Sequence, residues 1–278
     1  EKNIDMIIFL DNIHTIHTNF PFITIVYDVD HLKFPFFPEY SKNNKWYKRE
    51  NSLNTHLRKA SGIISGTNYG ISQIKEYYGI PKNKLFKIPH PSIKYDFEQD
   101  ISIDNNYIRE LGLEKNKFLF YPAQFWAHKN HKSLINLGIK LKDKFNYDLK
   151  IVLSGSDKGN LSYIKEEIKK NNLENIFKYL GFVNKNQLFT LYKNCLALTY
   201  VSYGGPENLP PLEAFSLGCP VIATKNEGSI EQLEDGAILI DPNNTEEFID
   251  SIEKLNNIEF KSELIKKGLL ISKKKSID

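Results

Sequence analysis

The chain has 278 residues, of which 41% are hydrophobic and 26% are charged, values typical of a folded globular protein. The formal net charge is only +3, which argues against a nucleic-acid partner bound through charge. The two cysteines, Cys195 and Cys219, are too few for a disulfide framework. Because neither a signal peptide nor an apolar run of transmembrane length is evident, we expect a cytoplasmic location.

Short apolar runs alternate with segments of helical periodicity along the chain. Several runs are apolar throughout, which is typical of strands covered on both faces in a parallel sheet. The predicted strands are 6–10, 22–27, 62–65, 84–88, 118–121, 149–154, 177–181, 197–201, 220–223 and 237–240. The predicted helices are 44–60, 68–78, 132–144, 161–171, 186–194, 211–217, 229–234, 245–256 and 260–270. This order predicts an α/β protein with right-handed crossovers and open parallel sheets.

A polar, irregular stretch interrupts the alternation after the fourth strand and predicts a domain boundary. We assign residues 93–115 to an interdomain linker, residues 1–92 to a first domain and residues 116–278 to a second domain. The chain begins with Glu1 and reaches a strand pattern almost at once. We therefore expect the first domain to be incomplete.

The most informative segment is YVSYGGPENLPPLEAFSLGCPVIA, at residues 200–223. A strand is followed there by a glycine-containing loop, and Pro210 and Pro211 suit the first turn of a helix. Glu213 is therefore predicted in that first turn. Because helix N-termini at the carboxyl ends of parallel strands bind anions, we expect a phosphorylated ligand there, with Glu213 placed for a ribose diol. The alternative is that Glu213 only interacts with the helix dipole.

A second segment, FYPAQFWAHKNHKSLI at residues 120–135, runs from the first strand of the second domain into a helix. Lys129 falls at the carboxyl end of this strand, where its charge could neutralise a diphosphate. A solvated surface lysine is the alternative in so lysine-rich a chain. His128 and His131 have a spacing found in metal sites, but no second ligand pair accompanies them, so we expect no metal.

Together these segments resemble glycosyltransferase family 4, the group 1 retaining glycosyltransferases of the GT-B fold. Residues 200–223 are similar to the E-x7-E region of that family, and residues 120–135 to its phosphate-binding loop. The resemblance implies an α/β GT-B fold with two Rossmann-like domains and a nucleoside diphosphate sugar as donor. It also implies transfer of a hexose, with mannose among the candidates, to a glycan or lipid-linked acceptor in bacterial surface polysaccharide synthesis.

The resemblance assigns a role to each matching residue. Lys129 corresponds to the lysine that holds the donor diphosphate, and Glu213 to the glutamate that binds the nucleotide ribose. The segment from Pro206 to Leu209 corresponds to a loop that contacts the donor through backbone N–H groups. The implied catalytic residues are Lys129, Glu207 and Asn208, and the implied donor-binding residues are Gln124, Gly205, Pro206, Leu209 and Glu213.

Two positions depart from the family pattern. Gly205 stands where the first glutamate of E-x7-E belongs, and Gln124 stands where the phosphate-binding loop has an arginine. Either Glu207 or Asn208 then takes over the sugar hydroxyls, or the donor is handled differently. In the first domain, many family members have a histidine after the strand that corresponds to 22–27. The candidate acceptor-side residues in this region are Tyr27, Asp28 and His31.

Four alternatives stay open, one of them a GT-B epimerase or phosphorylase, which shares the sheet topology. Asp28 and Asp30 form the D-x-D pattern of metal-dependent, single-domain transferases, although this leaves the later motifs unexplained. The departures at Gly205 and Gln124 also fit a non-catalytic sugar-nucleotide-binding protein. The stretch LKFPFFPEYSKNNKWYK, at residues 32–48, is either a plain surface loop or a face for peripheral membrane contact through anionic lipid or a lipid-linked acceptor.

Overall fold

The computed structural model describes residues 4–10, 18–92, 103–144 and 148–276. The chain divides into two compact units. The first comprises Glu1–His90 and Gly204–Glu207, and the second comprises Pro91–Tyr203 and Asn208–Asp278. Each unit contains one sheet of parallel strands, which confirms the predicted α/β class.

The first unit has a four-stranded sheet in the order β1-β2-β3-β4. Its strands are β1 (Ile7–Phe9), β2 (Phe22–Ile25), β3 (Gly62–Ser65) and β4 (Leu85–Lys87). Its helices in the described residues are α1 (Asp30–Lys33), α2 (Pro38–Ser41), α3 (Lys45–Lys59) and α4 (Asn68–Tyr78). The two longer helices bury Leu53, Leu57 and Ile74 in one core with Phe22 and Ile63 of the sheet.

The second unit has a six-stranded sheet in the order β10-β9-β8-β5-β6-β7. Its strands are β5 (Phe118–Pro122), β6 (Lys150–Ser154), β7 (Phe177–Tyr179), β8 (Ala197–Tyr200), β9 (Val221–Thr224) and β10 (Ile238–Ile240). Its helices in the described residues are α5 (Asn105–Glu110), α6 (His131–Asp143), α7 (Leu161–Lys170), α8 (Lys185–Asn194), α9 (Leu209–Ser216), α10 (Glu227–Leu233), α11 (Thr245–Lys254) and α12 (Ile258–Lys274).

Strands β5 and β8 lie side by side at the centre of this sheet, and both are buried along their length. Helices cover the two faces of the sheet at its centre, so β5 and β8 have no solvent-facing side, which is why their sequences are largely apolar. The chain continues from β5 toward β6 and β7 on one side, and returns to β8 on the other. In open α/β sheets a ligand crevice lies outside the carboxyl ends of strands at such a reversal.

The ten predicted strands are all present, with ends shifted by at most two residues. The predictions missed the short helices α1, α2 and α5, whose four to six residues hold too little periodic pattern to recognise. Helix α5 lies inside the stretch that we assigned to the linker. Asp104 caps it and also donates its N–H to Thr190 Oγ1 of α8 at 3.0 Å, which ties the helix to the second unit. The rest of the linker prediction, at 93–102, falls outside the described residues.

Candidate functional site

The two segments with family-like sequences follow β5 and β8, which are hydrogen-bonded neighbours. Lys129 ends a short 3-10 turn after β5, and Asn208 is the N-cap residue of α9 after β8. The parallel pairing brings both loops to the same edge of the sheet, at the point where the strand order reverses. The sheet topology therefore explains how residues about 80 positions apart in the chain come together.

A tyrosine hydroxyl joins the two loops. The Nζ of Lys129 donates to the hydroxyl of Tyr200 at 3.1 Å and lies 5.4 Å from the centre of its ring. The same hydroxyl lies 3.0 Å from Oδ1 of Asn208. On the other side of the lysine, Tyr121 donates its hydroxyl to the Lys129 carbonyl. Lys129 is thus held by one tyrosine at its backbone and by another at its ammonium group.

The backbone of Asn208 is held by a buried amide side chain. Its N–H donates to Oε1 of Gln232, and its carbonyl accepts from Nε2 of Gln232, both at 2.9 Å. Gln232 lies in α10 and is 2% exposed. The side chain of Asn208 makes no capping hydrogen bond to α9, because its oxygen faces Tyr200 instead. Two bonds to one amide group therefore fix the start of α9.

The start of α9 offers fewer N–H donors than the resemblance implies. Helix α9 begins at Leu209, two residues earlier than predicted, so Pro210 and Pro211 occupy its second and third positions and carry no N–H. Pro206 carries none either, so it cannot act as the predicted backbone donor. The N–H of Asn208 is already engaged. Leu209 is then the residue in the first three positions of α9 that retains an N–H, and a first helical N–H has no acceptor within the helix. An anion here would therefore depend strongly on a cationic side chain.

The loop Gly204–Glu207 belongs to the first unit and makes its contacts there. The Gly205 N–H donates to Oδ2 of Asp30 at 2.7 Å, and the Oε1 of Glu207 accepts from the His90 N–H at 2.9 Å. Gly205 has φ of +92°, a conformation that L side chains rarely adopt. A glutamate in this backbone conformation would be strained. The predicted roles of Glu207 and Gly205 toward the donor stay predictions.

Glu213 lies in the second turn of α9 and not in the first turn as predicted, because the helix starts earlier. Its Oε2 accepts a hydrogen bond from the hydroxyl of Tyr192 at 3.0 Å. Burial raises the pKa of the Glu213 carboxyl above its usual range, and the Tyr192 hydrogen bond opposes this by stabilising the charged form. Glu213 is therefore a half-buried carboxylate with one oxygen bonded to Tyr192.

Glu213 lines a cavity of about 530 Å³ in the second unit, together with Gln124. This volume is within the range of small-molecule sites. The end of β6 and the segment 182–189 form much of the remaining wall. Phe182 belongs to this wall yet is 87% exposed, which is unusual for a phenyl ring.

Two local contacts shape the wall near Gln124. At Gly155 the backbone comes so close to Ala123 that a Cβ there would lie 2.3 Å from the Ala123 carbonyl oxygen. Trp126 donates to Oε1 of Gln124 at 2.9 Å and fixes that amide.

His131 is the first residue of α6, directly after the Lys129 loop, and it is a buried, neutral aromatic ring. It is 1% exposed and stacks on Phe125 with ring centroids 4.2 Å apart. Burial lowers the pKa of His131 to about 3 from its usual 6.5. Between these values the unfolded chain binds the proton and the folded chain does not, so the free energy of unfolding decreases as the pH falls through this window.

We expect His131→Phe to remove this part of the pH dependence, because a phenyl ring keeps the stacking and cannot be protonated. The slope of the unfolding free energy should decrease by up to about 1.4 kcal/mol per pH unit in that window. Urea unfolding of wild type and variant across the window measures both slopes. Identical slopes in the two proteins would contradict a buried neutral histidine.

The candidate acceptor-side residues of the first unit have separate environments. Tyr27 is 39% exposed and stacks on His90 with centroids 5.3 Å apart. Asp28 pairs with Arg49 at 2.7 Å. His31 is fully buried, and its Nε2 lies 3.1 Å from a carboxylate oxygen of Glu50. Tyr27 is thus the most accessible of the three predicted residues, and the acceptor-side assignment stays a prediction.

Sequence reasoning missed Tyr200, Tyr192 and Gln232, which hold Lys129, Glu213 and Asn208 in place. Tyr200 ends a strand and Tyr192 lies in a helix, so in the sequence both resemble ordinary core residues. Gln232 had a weak signal, as a polar residue on the buried side of a short helix. The described residues contain no cluster of three or more His, Cys, Asp or Glu side chains that could hold a metal ion.

The family model described as Glycosyl transferases group 1 matches residues 104–268, more than half of the chain. The O-antigen chain mannosyltransferase RfbU of Salmonella typhimurium is 24% identical over 215 residues, which is 74% of this chain and 56% of that protein. The O-antigen chain mannosyltransferase B of Escherichia coli is 22% identical over 209 residues, 75% of this chain and 55% of that protein. This chain therefore spans little more than half the length of these relatives.

Solved structures show the same fold. Anabaena Alr3699/HepE in complex with UDP-glucose has a TM-score of 0.74 and 20% identity, over 92% of this chain and 68% of that chain. The sucrose-phosphate synthase of Thermosynechococcus elongatus has a TM-score of 0.74 and 16% identity, over 93% of this chain and 64% of that chain. At these identities the likeness establishes the GT-B fold and leaves the ligand open.

Proposed function

Because the chain belongs to the group 1 glycosyl transferases, we propose that it acts within a retaining glycosyltransferase of family 4. The protein would transfer a hexose from a nucleoside diphosphate sugar to a glycan or lipid-linked acceptor in bacterial surface polysaccharide synthesis. The relatives named O-antigen chain mannosyltransferases support mannose as the sugar. A fold neighbour in complex with UDP-glucose supports a nucleotide sugar as donor.

One observation carries this proposal: Lys129 and Asn208, from the loops after β5 and β8, share the hydroxyl of Tyr200. The helix that Asn208 begins also carries Glu213 to the wall of the 530 Å³ cavity. A cation for the diphosphate, in the loop after β5, and a carboxylate for the ribose, in the second turn of α9, thus belong to the same unit. A nucleoside diphosphate held by both groups would place its phosphates toward Lys129 and its ribose toward Glu213.

The proposed chemistry needs charge stabilisation more than proton transfer. As the bond between the sugar and the donor diphosphate breaks, negative charge grows on the leaving phosphate oxygens. The Lys129 ammonium and the Leu209 N–H would stabilise this charge, and their positions are set before the donor binds. Glu213 would hold the ribose hydroxyls. We propose no metal cofactor, so activity should persist in EDTA.

A non-catalytic nucleotide-binding protein is the second candidate, favoured by Gly205 and Gln124 at two motif positions. A panel of UDP-glucose, UDP-N-acetylglucosamine and GDP-mannose distinguishes the candidates, with thermal shift for binding and product analysis for transfer. Transfer with retained anomeric configuration would support the enzyme. Binding without transfer or hydrolysis would favour the second candidate. A protein that bound none of these donors would contradict both.

We also propose that the first unit touches the membrane through the aromatic stretch at 32–48. Phe36 is 70% exposed and Tyr47 is 66% exposed, and lysines 33, 42, 45 and 48 accompany them. Exposed rings together with lysines suit an anionic lipid surface. In the described residues, no helix is long and apolar enough to cross a bilayer.

Replacing both rings, Phe36→Ser with Tyr47→Ser, should weaken binding to vesicles of phosphatidylcholine with phosphatidylglycerol by several-fold. The variant loses the free energy of burying apolar ring surface in the membrane, on the order of 25 cal/mol per Å² of buried area. Co-sedimentation measures it, and vesicles of phosphatidylcholine alone are the control for charge. Equal binding of variant and wild type would support a plain surface loop.

For the protein as a whole we propose a cytoplasmic location at the inner face of the membrane, which the buried free thiols Cys195 and Cys219 support.

A further inference from the structure

We infer that Tyr200 is a positioning residue for Lys129, an inference that rests on the proposed role of this lysine at the donor diphosphate. An ammonium group can only donate hydrogen bonds. The Tyr200 oxygen must therefore accept from Lys129 at 3.1 Å, and its own proton is directed to Oδ1 of Asn208 at 3.0 Å. One hydroxyl is thus satisfied on both sides, by one residue from each of the two loops.

The position of the Tyr200 hydroxyl is fixed because the ring that carries it is buried. It is 6% exposed, and the ring of Tyr121 packs edge-on against it with centroids 5.7 Å apart. A lysine side chain is flexible by comparison, and an unsupported ammonium would sample many positions. The Tyr200 hydroxyl takes one of the three ammonium protons, and the other two remain for phosphate oxygens. Lys129 would therefore meet the donor in a defined place.

This support matters more here than in relatives with a full set of donors. Gln124 replaces the arginine of the phosphate-binding loop, and two prolines remove N–H groups from the first turn of α9. Within the loops after β5 and β8, residues 123–130 and 201–208, Lys129 is then the one lysine or arginine that could meet the leaving diphosphate. Misplacement of a stabilising group by about 1 Å can cost on the order of 10²-fold in rate. A group that prevents such misplacement contributes to catalysis without touching the donor.

The test is a double-mutant cycle on the chain with Tyr200→Phe, Lys129→Ala and both changes together. We expect Tyr200→Phe to lower kcat about tenfold, with a smaller change in the donor KM, because the phenyl ring keeps the packing. In the Lys129→Ala background the same change should have no further effect, because no ammonium is left to position. Tyr107→Phe, which removes a half-buried hydroxyl elsewhere in the second unit, is the matched control and should leave kcat unchanged.

A second measurement does not depend on the donor sugar: calorimetric titration of UDP, GDP and inorganic pyrophosphate into the same four proteins. Weaker binding to Tyr200→Phe than to wild type, with the difference lost in the Lys129→Ala background, is the expected result. Equal losses with and without Lys129 would overturn the inference, as would unchanged kcat and affinity in a folded Tyr200→Phe protein. If the wild-type chain binds none of the three probes, the proposed function fails first, and the inference fails with it.

Discussion

Lys129→Ala should lower the turnover number by about 10²-fold or more, the cost of removing one preorganised group that stabilises transition-state charge. The loops after β5 and β8 offer few other cationic or N–H donors to the proposed diphosphate. The arginine position holds Gln124, and Pro210 and Pro211 offer no N–H at the start of α9.

Initial rates at saturating donor measure this effect, and Lys132→Ala is the matched control. Lys132 lies three residues further along, but it pairs with Glu167 of α7 and not with Tyr200. The control should keep nearly full turnover, which separates the loss of this particular ammonium from the loss of any local charge. A Lys129→Ala protein that is folded and turns over at the wild-type rate would remove the basis of the proposed mechanism.

Glu213→Ala should weaken nucleotide binding about 10- to 100-fold, the range expected for losing hydrogen bonds to a charged group. The change also leaves the Tyr192 hydroxyl without its partner in the described structure, which should lower stability. Glu213→Gln separates the two effects, because the amide keeps an oxygen for Tyr192 and loses the charge. Titration of UDP and GDP into the three proteins gives the affinities. Equal affinity in all three would reject a ribose-binding role.

The raised pKa of Glu213 gives this prediction a pH dependence. A carboxylate can accept from both ribose hydroxyls, whereas the protonated acid loses part of that capacity. Affinity should therefore decline as the pH falls through the pKa of Glu213, and the decline should begin above the range of an ordinary glutamate. Tyr192→Phe removes the bond that stabilises the charge, so its decline should begin at a still higher pH. A decline at the same pH in both proteins would show that Tyr192 does not influence Glu213.

The sequence allowed the strands of both units to be predicted because buried parallel strands are apolar on both faces. The group 1 resemblance is confirmed by the family match, and the sheet order explains why the loops with Lys129 and Asn208 meet. The start of α9 was predicted two residues late, because prolines suit the second and third helical positions as well as the first. That small shift moved Glu213 to the second turn.

The supporting hydrogen bonds could not be predicted, because they join residues that are distant in the sequence and produce no periodic pattern in it. Tyr200 meets Lys129 across 71 positions of the chain, and Gln232 meets Asn208 across 24. Nor did Gly205 reveal by itself why a glutamate is missing. The positive φ of Gly205, which disfavours an L side chain, is visible only in the structure.

The amide of Gln232 on the backbone of Asn208 has a thermodynamic consequence. Both polar backbone groups of Asn208 are bonded without any ligand, so this residue loses its conformational freedom during folding and not during recognition. A nucleotide bound at the proposed site would not have to order the Asn208 backbone, so that entropy cost would not reduce its affinity. If the proposed function holds, the start of α9 would release a spent nucleotide and bind the next without a change in its own backbone order.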